Sequence, residues 1–444
     1  MLRGRSRATV SRERTLIREG KFNHKSLEQQ LSHVVDSVNE EIRKMTIDLI
    51  AEEKKGEGEK TPVPQPWKRS KSKRKSGETR TDHHQGVVEI QRDWYVCRRC
   101  GKGFSPVDAI LGIEQIGHKT TPEMAAKIAY MGQFASSFEA AAECFAYLTG
   151  IQISPFLIRQ ITEETGKKVH EQQQEQAERA YEKPEEAAPA ALPHARKTGT
   201  LYVMADGSQV NTREKGKDGS TWKEMKLGLV YSDDHVLTRQ GGQTVLTDKE
   251  YVAHFGGVEG FKKQLFDAAA RGGYGRYEQT VVIGDGAHWI WNLYDELFPD
   301  AVQVLDYYHM CENVYRYAKF LYPSDEQKMN GWAQQIIAKI EAGQVDEVLD
   351  AIPCTDEQKL PAGVPKLPTY LSNNRKRMNY QELQQKGYKV GSGAIESGNK
   401  KVIQQRMKQS GMRWGVETGQ YIATLRAKYA SNRWSDVLDI INAA

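Results

Sequence analysis

A chain of 444 residues with 39% hydrophobic content is long enough for two or three domains and at least one sizeable core. It has no apolar run of the roughly 18 residues that a membrane span needs, and its arginine-rich start lacks the apolar stretch of a secretory signal, so membrane and secreted classes are excluded and a cytoplasmic protein is expected. The net charge is +5 (63 Lys+Arg minus 58 Asp+Glu), yet residues 1–26 and 59–80 each hold eight Lys/Arg against two Glu, so these segments carry +12 and the remainder −7.

Basic arms of this kind point to nucleic acid, although an anionic membrane surface or a solvated tail has the same composition. Five cysteines, Cys97, Cys100, Cys144, Cys311 and Cys354, are few and odd in number, which argues against a disulfide framework and suits a reducing compartment.

Residues 1–55 form a basic arm followed by an amphipathic helix, in which Leu27, Leu31, Val34, Val38, Ile42, Met45 and Leu49 recur at helical spacing. That face suits self-association, and a homo-oligomer is expected. Residues 56–86 are polar and basic and read as a disordered linker. Residues 87–118 read as a hairpin bearing Cys97 and Cys100 in a Cys-x-x-Cys knuckle followed by glycine. This is half of a zinc ribbon; the second half is missing, so Zn²⁺ bound by these thiolates and a metal-free remnant are both open. Residues 119–170 form a helical segment in which Ser154 followed by Pro155 marks a helix start. The layout fits a DNA-binding helix-turn-helix and equally an ordinary three-helix module. Residues 171–197 read as a solvated helix running into a linker.

From residue 198 the pattern is α/β. A strand ends at Asp206-Gly207, the alternating KEMKLGLVY over 223–231 pairs with it as a hairpin, and residues 258–270 suit a helix. Two further apolar runs end at Asp285 and Asp306, with an aromatic, helix-like segment between them. Three strands, a helix, a strand, then helix and strand is an order that resembles ribonuclease H. Residues 311–379 read as an all-helical insertion, which divides the α/β domain into 198–310 and 380–444. Glu396 opens a long helix after two glycines.

Asp206, Asp285 and Glu396 share a setting just past strands or at a helix start. Carboxylates are the hard oxygen ligands preferred by Mg²⁺ or Mn²⁺. Three on neighbouring elements could hold two ions roughly 3.5–4 Å apart, suited to cutting a phosphodiester. Each acid taken alone is an ordinary turn or helix-start residue. Beyond Glu396, the helix carries Lys400, Lys401, Arg406, Lys408 and Arg413 without an acid up to residue 416, a face for phosphates or simply for solvent. Trp414 and Trp289 could stack on unpaired bases or pack in the core. Arg375 and Arg377 flank Lys376 in a second basic cluster.

The stretches MADGSQV, VVIGDGAHWIWNLYDELFP, VLDYYHMCENVY, GSGAIESGNKKVIQQRMKQSGMRW and SNRW resemble the DDE transposases of bacterial insertion sequences, specifically the ISKra-like group and its ISLre-like relatives. The resemblance covers roughly residues 95–434. It implies a ribonuclease H-like catalytic domain with an all-α insertion, preceded by a mainly helical DNA-binding region. It further implies Asp206, Asp285 and Glu396 as catalytic, metal-binding acids, two Mg²⁺ or Mn²⁺ ions, and terminal inverted repeats and target DNA as partners. Asp306-Tyr-Tyr-His309 matches the Cys/Asp-x-x-His feature of Mutator-like and hAT-like relatives, and implies a supporting role for Asp306 and His309 in the active site. Where the family often carries a fuller cysteine ribbon, this chain keeps only Cys97 and Cys100. The expected activity is metal-dependent cleavage and strand transfer near the nucleoid; a two-metal nuclease without strand transfer and a domesticated DNA-binding protein are the alternatives.

Overall fold

A computed structural model describes residues 67–69, 79–83, 86–90, 95–97, 103–104, 120–188, 195–239, 244–353 and 356–443, with side chains before residue 120 described only for Tyr95 and Val96. The self-associating helix expected over Leu27–Leu49, Cys100 and the side chain of Cys97 lie outside the described residues. The chain forms two compact units, Met1–Thr165 with Leu438–Ala444, and Gly166–Val437.

In the first unit, β1 (Trp67–Arg69), β4 (Tyr95–Cys97) and β5 (Gly103–Phe104) make an antiparallel sheet, and β2 (Thr79–His83) pairs with β3 (Gly86–Ile90). The stretch read as a disordered linker therefore carries two strands. The reason is visible in β2, where Thr79 and Thr81 alternate with Arg80 and Asp82 opposite Ile90 and Val88, a pattern that suits a pleated ribbon despite its charge. The expected hairpin over the knuckle is β4 with β5, in register Tyr95↔Phe104.

Three helices follow: α1 (Pro122–Phe134), α2 (Phe138–Thr149) and α3 (Pro155–Glu182). Each start is capped by a hydroxyl. Thr121 Oγ1 accepts from the Met124 N–H (3.4 Å), Ser137 Oγ from Ala140 (3.1 Å) and Ser154 Oγ from Leu157 (3.2 Å). Gly150, at φ 72°, closes α2 in the left-handed conformation. The helix begun at Pro155 continues unbroken to Glu182, so the solvated helix read from residue 171 is the continuation of α3.

The second unit is built on a mixed five-stranded sheet. Its strands are β6 (Lys197–Asn211), β7 (Trp222–Ser232), β10 (Glu250–Phe255), β11 (Tyr277–Gly284) and β12 (Val302–Leu305), and a small pair, β8 (Val236–Thr238) with β9 (Thr244–Leu246), lies outside it. The order is β10-β7-β6-β11-β12; the β10–β7 and β7–β6 pairs are antiparallel, and the β6–β11 and β11–β12 pairs are parallel. Leu201–Ala205 and Val281–Gly284 are buried without alternation, as strands covered on both faces require. Helix α4 (Val258–Gly272) connects β10 to β11, and α5 (His288–Leu297) connects β11 to β12.

After β12, among the described residues, come five α-helices: α6 (Tyr307–Leu321), α7 (Glu326–Glu341), α8 (Val345–Ala351), α9 (Leu367–Asn374) and α10 (Tyr380–Gln385). They lead to α11 (Gly393–Met407) and α12 (Val416–Ala430). The Tyr380 hydroxyl donates to the Leu305 carbonyl (3.1 Å), tying the end of the helical stretch back to β12. Helix α12 lies along the outer strand: Gln420 accepts from the Phe255 N–H (2.7 Å) and donates to the Ala253 carbonyl (2.8 Å), while Ser431 Oγ accepts from the Tyr251 N–H (2.8 Å).

Helix α4 approaches the sheet at Gly228, where a Cβ would stand 2.7 Å from Leu265 Cδ1 and 2.8 Å from Val252 Cγ2. Interiors are packed too densely to absorb that without displacement. Gly228→Ala is expected to cost about 1–3 kcal/mol, read as a lower midpoint in urea unfolding with an unchanged slope; an unshifted midpoint would show that α4 moves freely on the sheet.

Candidate active site

The registers of three parallel strands set the site. Met204 on β6 pairs with Ile283 on β11, and Ile283 with Val304 on β12, while Gly284 pairs with Leu305. Continuing those registers puts Asp206, Asp285 and Asp306 level with one another at the carboxyl end of the sheet, where ligand-binding groups of α/β proteins gather.

The three arrive there differently. Asp285 follows β11 directly, its Oδ1 accepts from the Ala287 N–H (2.9 Å), and Gly286 turns the chain at φ 103°. Asp306 follows β12, is fully buried, and caps α6. Asp206 does not end its strand, contrary to the turn expected at Asp206-Gly207. β6 continues to Asn211, paired with β7 as far as Trp222, because Gly207 stays extended and Ser208 and Val210 bury their side chains alternately with exposed Gln209. Gly207 also leaves the space that Glu224 fills; a Cβ there would collide with its carboxylate.

Glu396 stands in the first turns of α11 and is held by Ser392, whose Oγ donates to Glu396 Oε1 (2.8 Å) while its N–H donates to Asp306 Oδ2. Asn399, one turn later, donates from Nδ2 to Asp206 Oδ2. Asp306 Oδ1 also accepts from the His309 N–H (2.6 Å) and ring Nδ1 (2.9 Å). Ligand atoms of Asp306, His309 and Glu396 lie within 4.8 Å of one another, the His/Cys/Asp/Glu group compact enough for a cation among the described residues. Asp206, Asp285 and Glu396 do not form such a group by themselves. Three N–H donors already occupy Asp306, however, so its bonding is that of an ion pair with His309.

Electrostatics follow from crowding acids in a half-dry row. Burial pushes the Asp206 carboxyl up to about 6; the negative Asp285 adds to this, while the Gly207 N–H, His309 and Asn399 oppose it. The bond to Asp306 raises His309 to about 9 against the effect of burial, assisted by the charges of Asp306, Asp285 and Glu312. Burial alone would raise Asp306, yet the His309 bonds and charge and the Ser392 contact hold it below the usual carboxylate range.

The basic residues divide. Lys400, Lys408 and Arg413 are exposed, and Lys408 feels the charge of Asp206. Lys401 is half-buried over the Tyr429 ring (5.3 Å). Arg406 and Trp414, expected to contact DNA, are instead buried, at 1% and 6% exposure, with the guanidinium 5.0 Å over the indole and Trp414 Nε1 donating to the Met407 carbonyl (3.2 Å). From there neither reaches DNA; both are core residues that close the end of α11. Trp289 packs edge-on to Phe261 (6.0 Å) beneath the Lys226 ammonium (4.9 Å). Arg375 is exposed and paired with Asp346, and Arg377 stacks on Trp291 (4.2 Å) while donating to Gln303 (2.6 Å).

Ser392 and Asn399 were not singled out from the sequence. Their signal is positional: they stand four residues before and three after Glu396, on its helix face.

Fold and site thus define an α/β protein with a carboxylate row at the carboxyl edge of a mixed sheet. The chain belongs to the uncharacterised protein family UPF0236, whose model matches residues 17–435. None of the curated proteins compared with the chain matches it.

The His309–Asp306 pair makes stability depend on pH. A base raised from 6.5 to about 9 contributes fully below pH 6.5 and loses its contribution as pH rises through 9. On the acid side the lowered Asp306 loses the same bond only below the ordinary carboxylate range. The full shift is worth about 3 kcal/mol, reduced to about 1–2 kcal/mol by solvent access to the ring. His309→Gln is therefore expected to destabilise by that amount at neutral pH, with the difference from the parent shrinking above pH 9 in chemical unfolding; a pH-independent difference would show that His309 acts by packing alone.

Proposed function

We propose that this protein is a DDE transposase of a bacterial insertion sequence, ISKra-like with ISLre-like relatives, whose catalytic unit is ribonuclease H-like. The observation that carries this reading is the level pair of Asp206 on β6 and Asp285 just past β11, beside Glu396 on a helix bonded to Asp206 through Asn399 and, through the Ser392 N–H at its start, to Asp306. The sheet order, with three antiparallel strands followed by two parallel to the first, is consistent with a ribonuclease H-like core, and the helices between β12 and α11 correspond to the inserted all-α domain.

The chemistry of the donor set suits two divalent cations, Mg²⁺ or Mn²⁺, which would have to draw together three acids that are not by themselves a compact cation group. All three acids offer hard oxygens, and the half-buried Asp206 carboxyl, raised by partial burial and by Asp285, is in the electrostatic condition that a cation relieves. When bound, such ions would activate a water or 3′-hydroxyl and stabilise the leaving oxygen of a phosphodiester. Asp306 and His309 support the row: protonated His309 keeps one positive charge among the acids and lowers their repulsion toward a polyanionic substrate. Lys400, Lys408 and Arg413, exposed along and after α11, are suited to hold phosphates leading into the row. Element ends and target DNA are the partners, a homo-oligomer on DNA the working state, and the nucleoid the place of action. Zinc at Cys97 and Cys100 stays a proposal for the N-terminal segment.

Asp206→Asn, Asp285→Asn and Glu396→Gln are each expected to lower Mg²⁺-dependent strand cleavage by about three orders of magnitude, the loss of roughly 4 kcal/mol of transition-state stabilisation, while end binding stays measurable. Cleavage retained in all three would sink the assignment, and cleavage without joining in a strand-transfer assay would favour the nuclease. Alanine at Lys400, Lys408 or Arg413 should each reduce the salt slope of DNA affinity by about one; an unchanged slope in all three would place the DNA elsewhere.

A further inference from the structure

Asn399 stands out among the residues around the acid row. Its side chain is 4% exposed, Nδ2 donates to Asp206 Oδ2, and Oδ1 has no hydrogen-bond partner. A buried amide oxygen left unpaired is costly, and asparagine is a poor residue for a helix interior. Stability alone does not explain it.

The backbone around it is equally particular. Helix α11 begins as an α-helix over Gly393–Gly398, widens to a π-helix over Asn399–Gln404, and returns to α over Gln405–Met407. Such widened turns are rare and are found frequently at functional sites. Here the turn is clamped from two sides. Arg426, buried on α12, donates from Nε to the Val402 carbonyl (2.7 Å) and from Nη2 to the Lys401 carbonyl, supplying donors to backbone groups within the π segment. Just before the segment, Gly398 lies against the Tyr251 ring, where a Cβ would collide. The side chain presented where this clamped turn begins is Asn399, directed at Asp206.

We propose that Asn399 is a positioning residue for the first acid: it fixes the Asp206 carboxylate and joins the helix of Glu396 to strand β6, so that the two acids keep a constant relation. This rests on the two-cation DDE reading. Asp206 Oδ1 accepts from the Gly207 N–H (2.6 Å) and Oδ2 from Asn399, so each oxygen is oriented by one donor and keeps a lone pair for a further partner. Donors behind a ligating carboxylate set its orientation, and removing one typically costs 10–100-fold in metal affinity.

The full chain and its Asn399→Ala variant are compared by Mn²⁺ binding without DNA, followed by electron paramagnetic resonance, by melting without metal, and by the Mn²⁺ concentration that half-saturates cleavage. Mn²⁺ affinity should weaken about 10–100-fold, half-saturation should shift by the same factor, and the rate should recover at saturating Mn²⁺, with metal-free melting unchanged. If melting falls, Asn399→Gln, which keeps an amide donor, decides: recovered affinity supports the assignment, and a loss equal to that of alanine overturns it. Parent-like Mn²⁺ affinity in Asn399→Ala overturns the role of Asn399 alone. A parent chain that neither binds Mn²⁺ nor cuts DNA overturns the two-cation reading and this inference with it.

Discussion

Parallel pairing in register is the constraint on which the site depends. Because β6, β11 and β12 run in the same direction with matched residues, aspartates at the same height are forced side by side. Like charges at that spacing repel, and the sheet end is partly dry, so the protein must answer each carboxylate separately. Asp306 is neutralised by His309 and saturated with N–H donors. Asp206 is left with a raised proton affinity and two orienting donors. Asp285, with the Ala287 N–H on its Oδ1, completes the row beside them. Three chemically identical side chains thereby take on three different characters.

The same division separates two kinds of residue in α11. Glu396, Ser392 and Asn399 look toward the row. Arg406 looks the other way and packs its guanidinium on the Trp414 ring inside the protein, with Nη1 reaching the Met412 sulfur. A helix that reads as uniformly basic is in fact a helix with a wet, cationic side and a core side that happens to include arginine.

Much of this was legible in the residues. The strand-helix-strand unit ending at Asp285 and Asp306 follows from apolar run lengths, and Ser154-Pro155 marks a helix start by local chemistry alone. Four features were not. Asp206-Gly207 reads as a turn because glycine permits one, while the continuation of β6 depends on β7, a partner whose register is not written locally. Trp414 and Arg406 read as DNA contacts because indole and guanidinium are amphipathic, and burial is decided by α12 packing. The strands in the basic N-terminal segment were hidden by charge, since pairing with β3 and β4 outweighs composition. Asn399 escaped notice because its meaning lies in a widened helical turn that no spacing rule announces.

Gln420 carries a consequence for how copies of this protein can meet. Its side-chain amide donates and accepts along β10 as a neighbouring strand would, and Ser431 takes a further N–H. An open sheet margin is a template for adding another chain's strand. By offering a counterfeit strand made of side chains, α12 closes that margin within one molecule. Strand addition along β10 is thus closed off unless α12 first lifts away.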